Sequence, residues 1–185
     1  MHGKDPVARE FAYGAGMLNL KKALRPGLIY EETVANYSGW FQGKLNHLLL
    51  NLPYFSARFP RAKNVWECEF KRKVKSVEVG RCEFKPKVMV HFTSLSIDLE
   101  SIQIRTSKDS LIFEKYGDEK EFSLRVSLPS TKQLPGIFGL ISASLVWTKE
   151  DDDRVTVESP IILSSENVPA PHIMHGVYHA HGMYV

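Results

Sequence analysis

Cysteine is scarce in this sequence: Cys68 and Cys82 are the only two among 185 residues. Two cannot build a disulfide scaffold. A simple hairpin turning near Glu78-Val79-Gly80 would set Cys68 across from about Val90, not Cys82. Two buried free thiols are therefore expected, with one bridge as the alternative in an oxidising compartment. Long apolar runs are absent too. No stretch approaches the about 20 residues that cross a bilayer, so no membrane partner is expected. Met1 to Arg9 are polar and hold no apolar signal-peptide core, so no export signal is expected there. A strong excess of one charge is also missing. The 24 Lys and Arg face 21 Asp and Glu, for a net charge of +3. Disorder is not the expectation, because 43% hydrophobic and 24% charged residues are ordinary for a folded chain.

The basic excess is local. Arg61, Lys63, Lys71, Arg72, Lys73, Lys75, Arg81, Lys85 and Lys87 stand against Glu67, Glu69, Glu78 and Glu83. These charges alternate with apolar residues, as on the wet face of a strand, and no aromatic stacking motif accompanies them. No nucleic-acid partner is expected.

Two regimes of patterning follow one another. In residues 10–50, Gly14, Gly16, Pro26 and Gly27 break the chain into turns. Lys21 to Leu24 suit one helical turn, and Glu31 to Phe41 an amphipathic helix. Leu45 to Leu50 are apolar and ambiguous. This stretch is too broken for a core of its own and is expected to pack against something else. From Asn51 the period becomes two. Phe84, Pro86, Val88, Val90 and Phe92 face one way; Lys85, Lys87, Met89 and His91 face the other. The same alternation runs through Phe122 to Leu128, Ile141 to Trp147 and Val155 to Val157. Strands are expected at about 53–59, 65–76, 82–92, 101–106, 110–114, 120–128, 138–148 and 154–163. That count, with turns at Gly117-Asp118, Leu134-Pro135-Gly136 and Glu150 to Asp153, predicts an antiparallel two-sheet sandwich. The tail from Glu166 to Val185 loses the alternation and is expected to be loose.

Chemical motifs are few. Serine proteolysis needs a nucleophilic Ser, a His base and a group that orients it. No such set is visible, and His91 falls on the wet face of its strand, so no catalytic residue is assigned. His172, His175, His179 and His181 are the candidate metal ligands. No Cys, Asp or Glu completes a shell beside them, so a flexible His-rich tail is the plainer reading and no cofactor is expected. Asp151 to Asp153 lack the alternate spacing of a calcium loop and read as a solvated turn. Asn36-Tyr37-Ser38 is an N-glycosylation sequon.

Three stretches, in order, carry a resemblance. The first is Phe11-Ala12-Tyr13-Gly14-Ala15-Gly16, then Asn19, Ala23 and Pro26-Gly27-Leu28-Ile29-Tyr30. The second is Leu50-Asn51-Leu52-Pro53. The third is Phe138 to Trp147 followed by Val155 to Leu163. Between them lie Val74-Lys75-Ser76-Val77, Leu111-Ile112-Phe113 and Phe122 to Val126. Together they resemble the C-terminal part of plant-type, cucumisin-like subtilisin-like serine proteases over residues 10 to 165. Met17, Leu18 and Leu20, the acid-rich turn at 149–153 and Glu158 depart from that family's pattern.

The resemblance implies a mainly β chain. A fibronectin-III-like antiparallel β-sandwich at 51–165 would follow a short α/loop remnant of a subtilisin-type α/β catalytic domain at 1–50, with the His-rich tail at 166–185. It implies an extracellular setting and one intramolecular partner, the subtilase catalytic domain. The family's Asp, His and Ser all precede the opening run, and its G-T-S-M-type serine motif is not found here. The chain would then be a non-catalytic stabilising module of a serine endopeptidase. The other readings are a stand-alone protein-binding sandwich and a decayed fragment without activity.

Overall fold

The computed structural model describes residues 19–60, 65–93, 99–129 and 139–165. Helix α1 (Leu20–Ala23), strand β1 (Leu28–Ile29) and helix α2 (Val34–Phe41) come first. Both helices start on a side-chain cap. Asn19 accepts from the amide of Lys22, and Thr33 from that of Asn36. A single 3-10 turn at His47–Leu49 leads to β2 (Phe55–Phe59). Then follow β3 (Trp66–Ser76), β4 (Cys82–Thr93), β5 (Gln103–Thr106), β6 (Leu111–Phe113), β7 (Glu119–Leu128), β8 (Leu140–Lys149) and β9 (Asp152–Ser165). All eight strands expected from the alternation are present. Only the two-residue β1 had no periodic signal, being too short to show one.

The strands form two sheets, β1-β3-β7-β5 and β2-β9-β8-β4-β6. Successive side chains alternate in and out, and the inward set from both sheets makes one core. Phe55, Phe70, Phe84, Phe113 and Trp147 are fully buried. Their rings meet edge to face: Phe55 on Phe70 at 5.4 Å between centroids, Phe122 on Trp147 at 5.1 Å. The strand pairs are antiparallel with one exception. β2 runs parallel to β9, with Phe55 beside Ile161 and Phe59 beside Ser165. A parallel pair needs a long crossover. Here almost the whole sandwich serves as that crossover, since β2 is the first strand of its sheet in sequence and β9 the last.

Two expectations need correcting. β3 and β4 do not form a hairpin; they lie in different sheets. Cys68 sits opposite Val126 in one sheet and Cys82 opposite Phe113 in the other. Both are free thiols, and burial pushes that of Cys68 up to about 12. The second correction concerns Phe92. The ladder slips between Val90 and Phe92, so Phe92 lies opposite Ser142 instead of facing inward with Val90. The extra residue is His91, a β-bulge that reverses the alternation. His91 keeps the outer-face position expected of it, half-buried, with Nε2 2.8 Å from Ser144 Oγ.

The segment before β2 is part of this architecture. Gly27 has φ of +75°, and a Cβ there would stand 2.8 Å from Val155 Cγ1 and 3.3 Å from Phe84 Cζ. The bare backbone lets β1 lie against the core, with Leu28 buried opposite Ser76. Gly27→Ala should therefore cost about 2–3 kcal/mol, combining left-handed backbone strain and overpacking. Gly117→Ala, at φ +84° with open space around it, should cost only the backbone part, about 1 kcal/mol. Urea unfolding of the two variants checks the difference.

Candidate functional site

The described residues contain no group of three or more His, Cys, Asp or Glu able to hold a metal. His172, His175, His179 and His181 lie outside the described residues, as does the opening run Phe11 to Gly16. Asp151 bonds Lys149 at 2.8 Å, while Asp152 bonds Arg25 and Arg154. Asn36 is exposed on α2. The feature these strands do build is a joint between residues 25–54 and the sandwich.

Arg72 is the centre of that joint. Its place in β3 puts it on the inward face with Phe70 and Val74, and it is buried. The guanidinium lies 4.9 Å from the Phe55 ring centroid and 5.5 Å from that of Phe70. Its nitrogens donate to four carbonyls: Leu52 at 3.0 Å, Leu48 at 2.8 Å, Tyr54 at 3.0 Å and Lys71 at 2.9 Å. Three of the four belong to the linker before β2. Burial pushes Arg72 down to about 10, so it stays charged at neutral pH. The composition-based reading put Arg72 on a wet face with its basic neighbours; the structure puts it inside. The available signal was parity. Phe70, Arg72 and Val74 are spaced by two, and the fork of donors on an arginine is what a chain with unpaired carbonyls requires.

Asn51 fastens the same linker from the other side. Its carboxamide donates to the carbonyls of Glu31 and Lys73 and accepts from the amide of Lys73 at 2.8 Å. Its own amide donates to Glu32. Burial alone would raise the Glu32 carboxyl, but the amides of Asn51 and Thr33 and the Asn36 carboxamide hold it below its ordinary value. Tyr30 reaches Ser159 Oγ at 3.1 Å, and burial raises its phenol. At the far end Arg25 grips Glu78, in the β3–β4 connection, with two nitrogens, and Asp152, at the start of β9, with a third at 2.8 Å. Lys149 stands 3.5 Å from the same Glu78.

The joint leaves α2 standing proud. Val34 is 82% exposed and Phe41 81%, with Tyr37 between them on the same stripe. Two further members of the basic run, Lys73 and Lys75, are paired on the outer face of the first sheet. Lys73 pairs with Glu119 at 2.8 Å, Lys75 with Glu31 at 2.9 Å and Arg125 with Glu69 at 3.5 Å. Beside them, between the start of α2 and the outer face of β3 and β7, runs an open polar groove of about 610 Å³.

A two-sheet sandwich with this strand order, fastened to a preceding segment, defines a class. Residues 49–163 match the family described as "Fibronectin type-III domain", and the chain belongs to that family. Curated relatives of the chain include plant subtilisin-like proteases. The chain is 26% identical over 89% of its length to subtilisin-like protease SBT4.10 of Arabidopsis thaliana, covering 25% of that protein. It is 28% identical over 87% of its length to SBT4.4 of the same plant, covering 23%. These matches take in more than the sandwich, so part of the flanking sequence shares the likeness. The chain spans about a quarter of the length of these relatives. Among solved structures, the secreted serine protease VesC from Vibrio cholerae aligns at a TM-score of 0.41 and 8% identity, over 84% of this chain and 26% of that one.

Arg72→Met should lower stability by about 3 kcal/mol, because it strands the carbonyls of Leu48, Leu52 and Tyr54. Limited proteolysis of that variant should cut first within residues 48–54. Acid should loosen the Arg25 end. Arg154, and with it Arg25, hold the Asp152 carboxyl down at about 2. A carboxyl depressed by folding stabilises fully above its unfolded value of about 3.9 and loses that contribution as pH falls through its folded value. Urea midpoints should therefore drop between about pH 4 and about pH 2, and the drop should be smaller in Asp152→Asn.

Proposed function

We propose that this chain is a C-terminal, non-catalytic module of a subtilisin-like serine endopeptidase. In this reading the sandwich docks on the protease domain and stabilises it, and no proton or acyl transfer takes place on its own residues. The observation that carries the proposal is the exposed apolar stripe Val34–Tyr37–Phe41. It stands on a segment that Arg72, Asn51 and Gly27 fix rigidly to the sandwich. Contiguous exposed apolar patches mark sites of protein contact. The related proteases supply a candidate partner, since three quarters of their length lies beyond this chain. The sequence itself holds no G-T-S-M-type serine motif. The proposed setting is the extracellular space, as the resemblance implies.

The test combines the purified chain with the Arabidopsis SBT4.10 protease truncated to lack its own last quarter. Binding of the two and a higher melting temperature of the truncated protease are expected. Val34→Glu with Phe41→Glu should weaken binding at least about tenfold, a loss of about 1.4 kcal/mol. Failure of the wild-type chain to bind would overturn the docking role. Labelling of the chain alone by a serine-reactive fluorophosphonate would overturn the non-catalytic one.

A further inference from the structure

The groove beside α2 and the sequon on α2 meet at one residue. Asn36 lines the groove together with Thr33, Lys71, Ser107, Lys108 and Ser123. It belongs to the triplet Asn36-Tyr37-Ser38, and no other Asn in the sequence is followed two residues later by Ser or Thr. One hydrogen of the Asn36 carboxamide is engaged with Glu32 Oε1 at 2.6 Å, which aims the side chain while the second hydrogen remains available.

The helix separates this side chain from the docking stripe. At about 100° per residue, Asn36 lies about 160° round α2 from Val34, about 140° from Phe41 and about 100° from Tyr37. Val34 and Phe41 thus point away from Asn36, which is itself exposed and borders the groove. A group attached at Asn36 would therefore leave the helix on a different side from Val34 and Phe41.

The groove has the dimensions and chemistry of a sugar site. Its about 610 Å³ falls within the about 300–1,000 Å³ of ligand clefts. Its lining mixes amine donors (Lys71, Lys108), a carboxylate acceptor (Glu121) and the hydroxyls of Ser107 and Ser123. Sugar hydroxyls and acetamide groups both donate and accept, so they suit a lining of both kinds. Lys71 and Lys108 make no ion pair among the described residues, which leaves their ammonium groups free to bond.

We propose that Asn36 carries an N-linked glycan whose first sugars lie in the groove between α2 and the outer face of the first sheet. The co-reactant is an oligosaccharide carried on a lipid diphosphate. A bond forms between Asn36 Nδ2 and the anomeric carbon, and the bond from that carbon to the diphosphate oxygen breaks. The lipid diphosphate leaves with the electron pair, and a base of the transferring enzyme takes the proton from Nδ2. The proposal rests on the secretory setting of the proposed function, and its test supplies that setting independently.

The full chain is expressed behind a heterologous signal peptide in a eukaryotic secretory host, and cell extract and medium are both assayed. A single glycan is expected, removed by peptide N-glycosidase and missing from both Asn36→Gln and Ser38→Ala. The second variant keeps Asn36 and its bond to Glu32. Release should be about tenfold slower from the folded than from the denatured chain, and Lys108→Glu with Lys71→Ala should speed it. A translocated chain without glycan overturns the modification. Equal release rates from folded and denatured chain overturn the groove placement. Neither result bears on binding to the truncated protease, which the unglycosylated chain reports separately.

Discussion

A guanidinium enclosed by protein on all sides governs how this chain is joined together. Arg72 has no carboxylate bonded to it among the described residues; carbonyl oxygens of Leu48, Leu52, Tyr54 and Lys71 satisfy it instead. A buried charge is costly unless its donors are taken up, and a fork of planar donors takes up several carbonyls at once. That demand runs in both directions. The linker carbonyls have no strand to pair with, and the arginine is almost wholly shielded from solvent. Each therefore requires the other, and the path of residues 48–54 follows from the place of one side chain in β3.

The strands were legible because a sandwich imposes period two wherever one face is wet, and β3, β7, β8 and β9 obey it closely. Local chemistry made the remainder opaque. Arg72 is charged, so its inward parity with Phe70 and Val74 was outweighed by the basic residues beside it. His91 gives no sign of being a bulge, yet it turns Phe92 to the other face. β1 is two residues long and depends on Gly27 meeting Phe84 and Val155, a contact between residues more than 50 positions apart. Parallel pairing of β2 with β9 leaves no local trace either, because alternation says which face a side chain takes and not which way its neighbour runs. Of the joint, the Pro26 to Tyr30 run was visible only as a family likeness. Its physical role emerged from packing.

The outer surfaces divide the work of solubility and contact. On the first sheet, opposite charges face each other across β3 and β7, so that part of the run presents a nearly balanced ladder, while Arg105 and Arg125 stand opposite each other across β5 and β7. Exposed pairs of this kind contribute little to stability. They do keep that sheet face from attracting apolar surface. The apolar stripe of α2 is the contrasting surface, and Gly27, Asn51 and Arg72 hold it in a fixed direction relative to the charged face.

The parallel pairing of β2 and β9 also sets how the module answers to force. The chain enters the second sheet at Phe55, beside Ile161, and leaves it at Ser165, beside Phe59. A pull applied at Phe55 and at Ser165 is therefore directed along the pair in opposite senses. All five paired positions, Phe55 to Phe59, share such a load in shear rather than parting one at a time. The sandwich is mechanically a clasp: its first and last strands resist being drawn apart along their length.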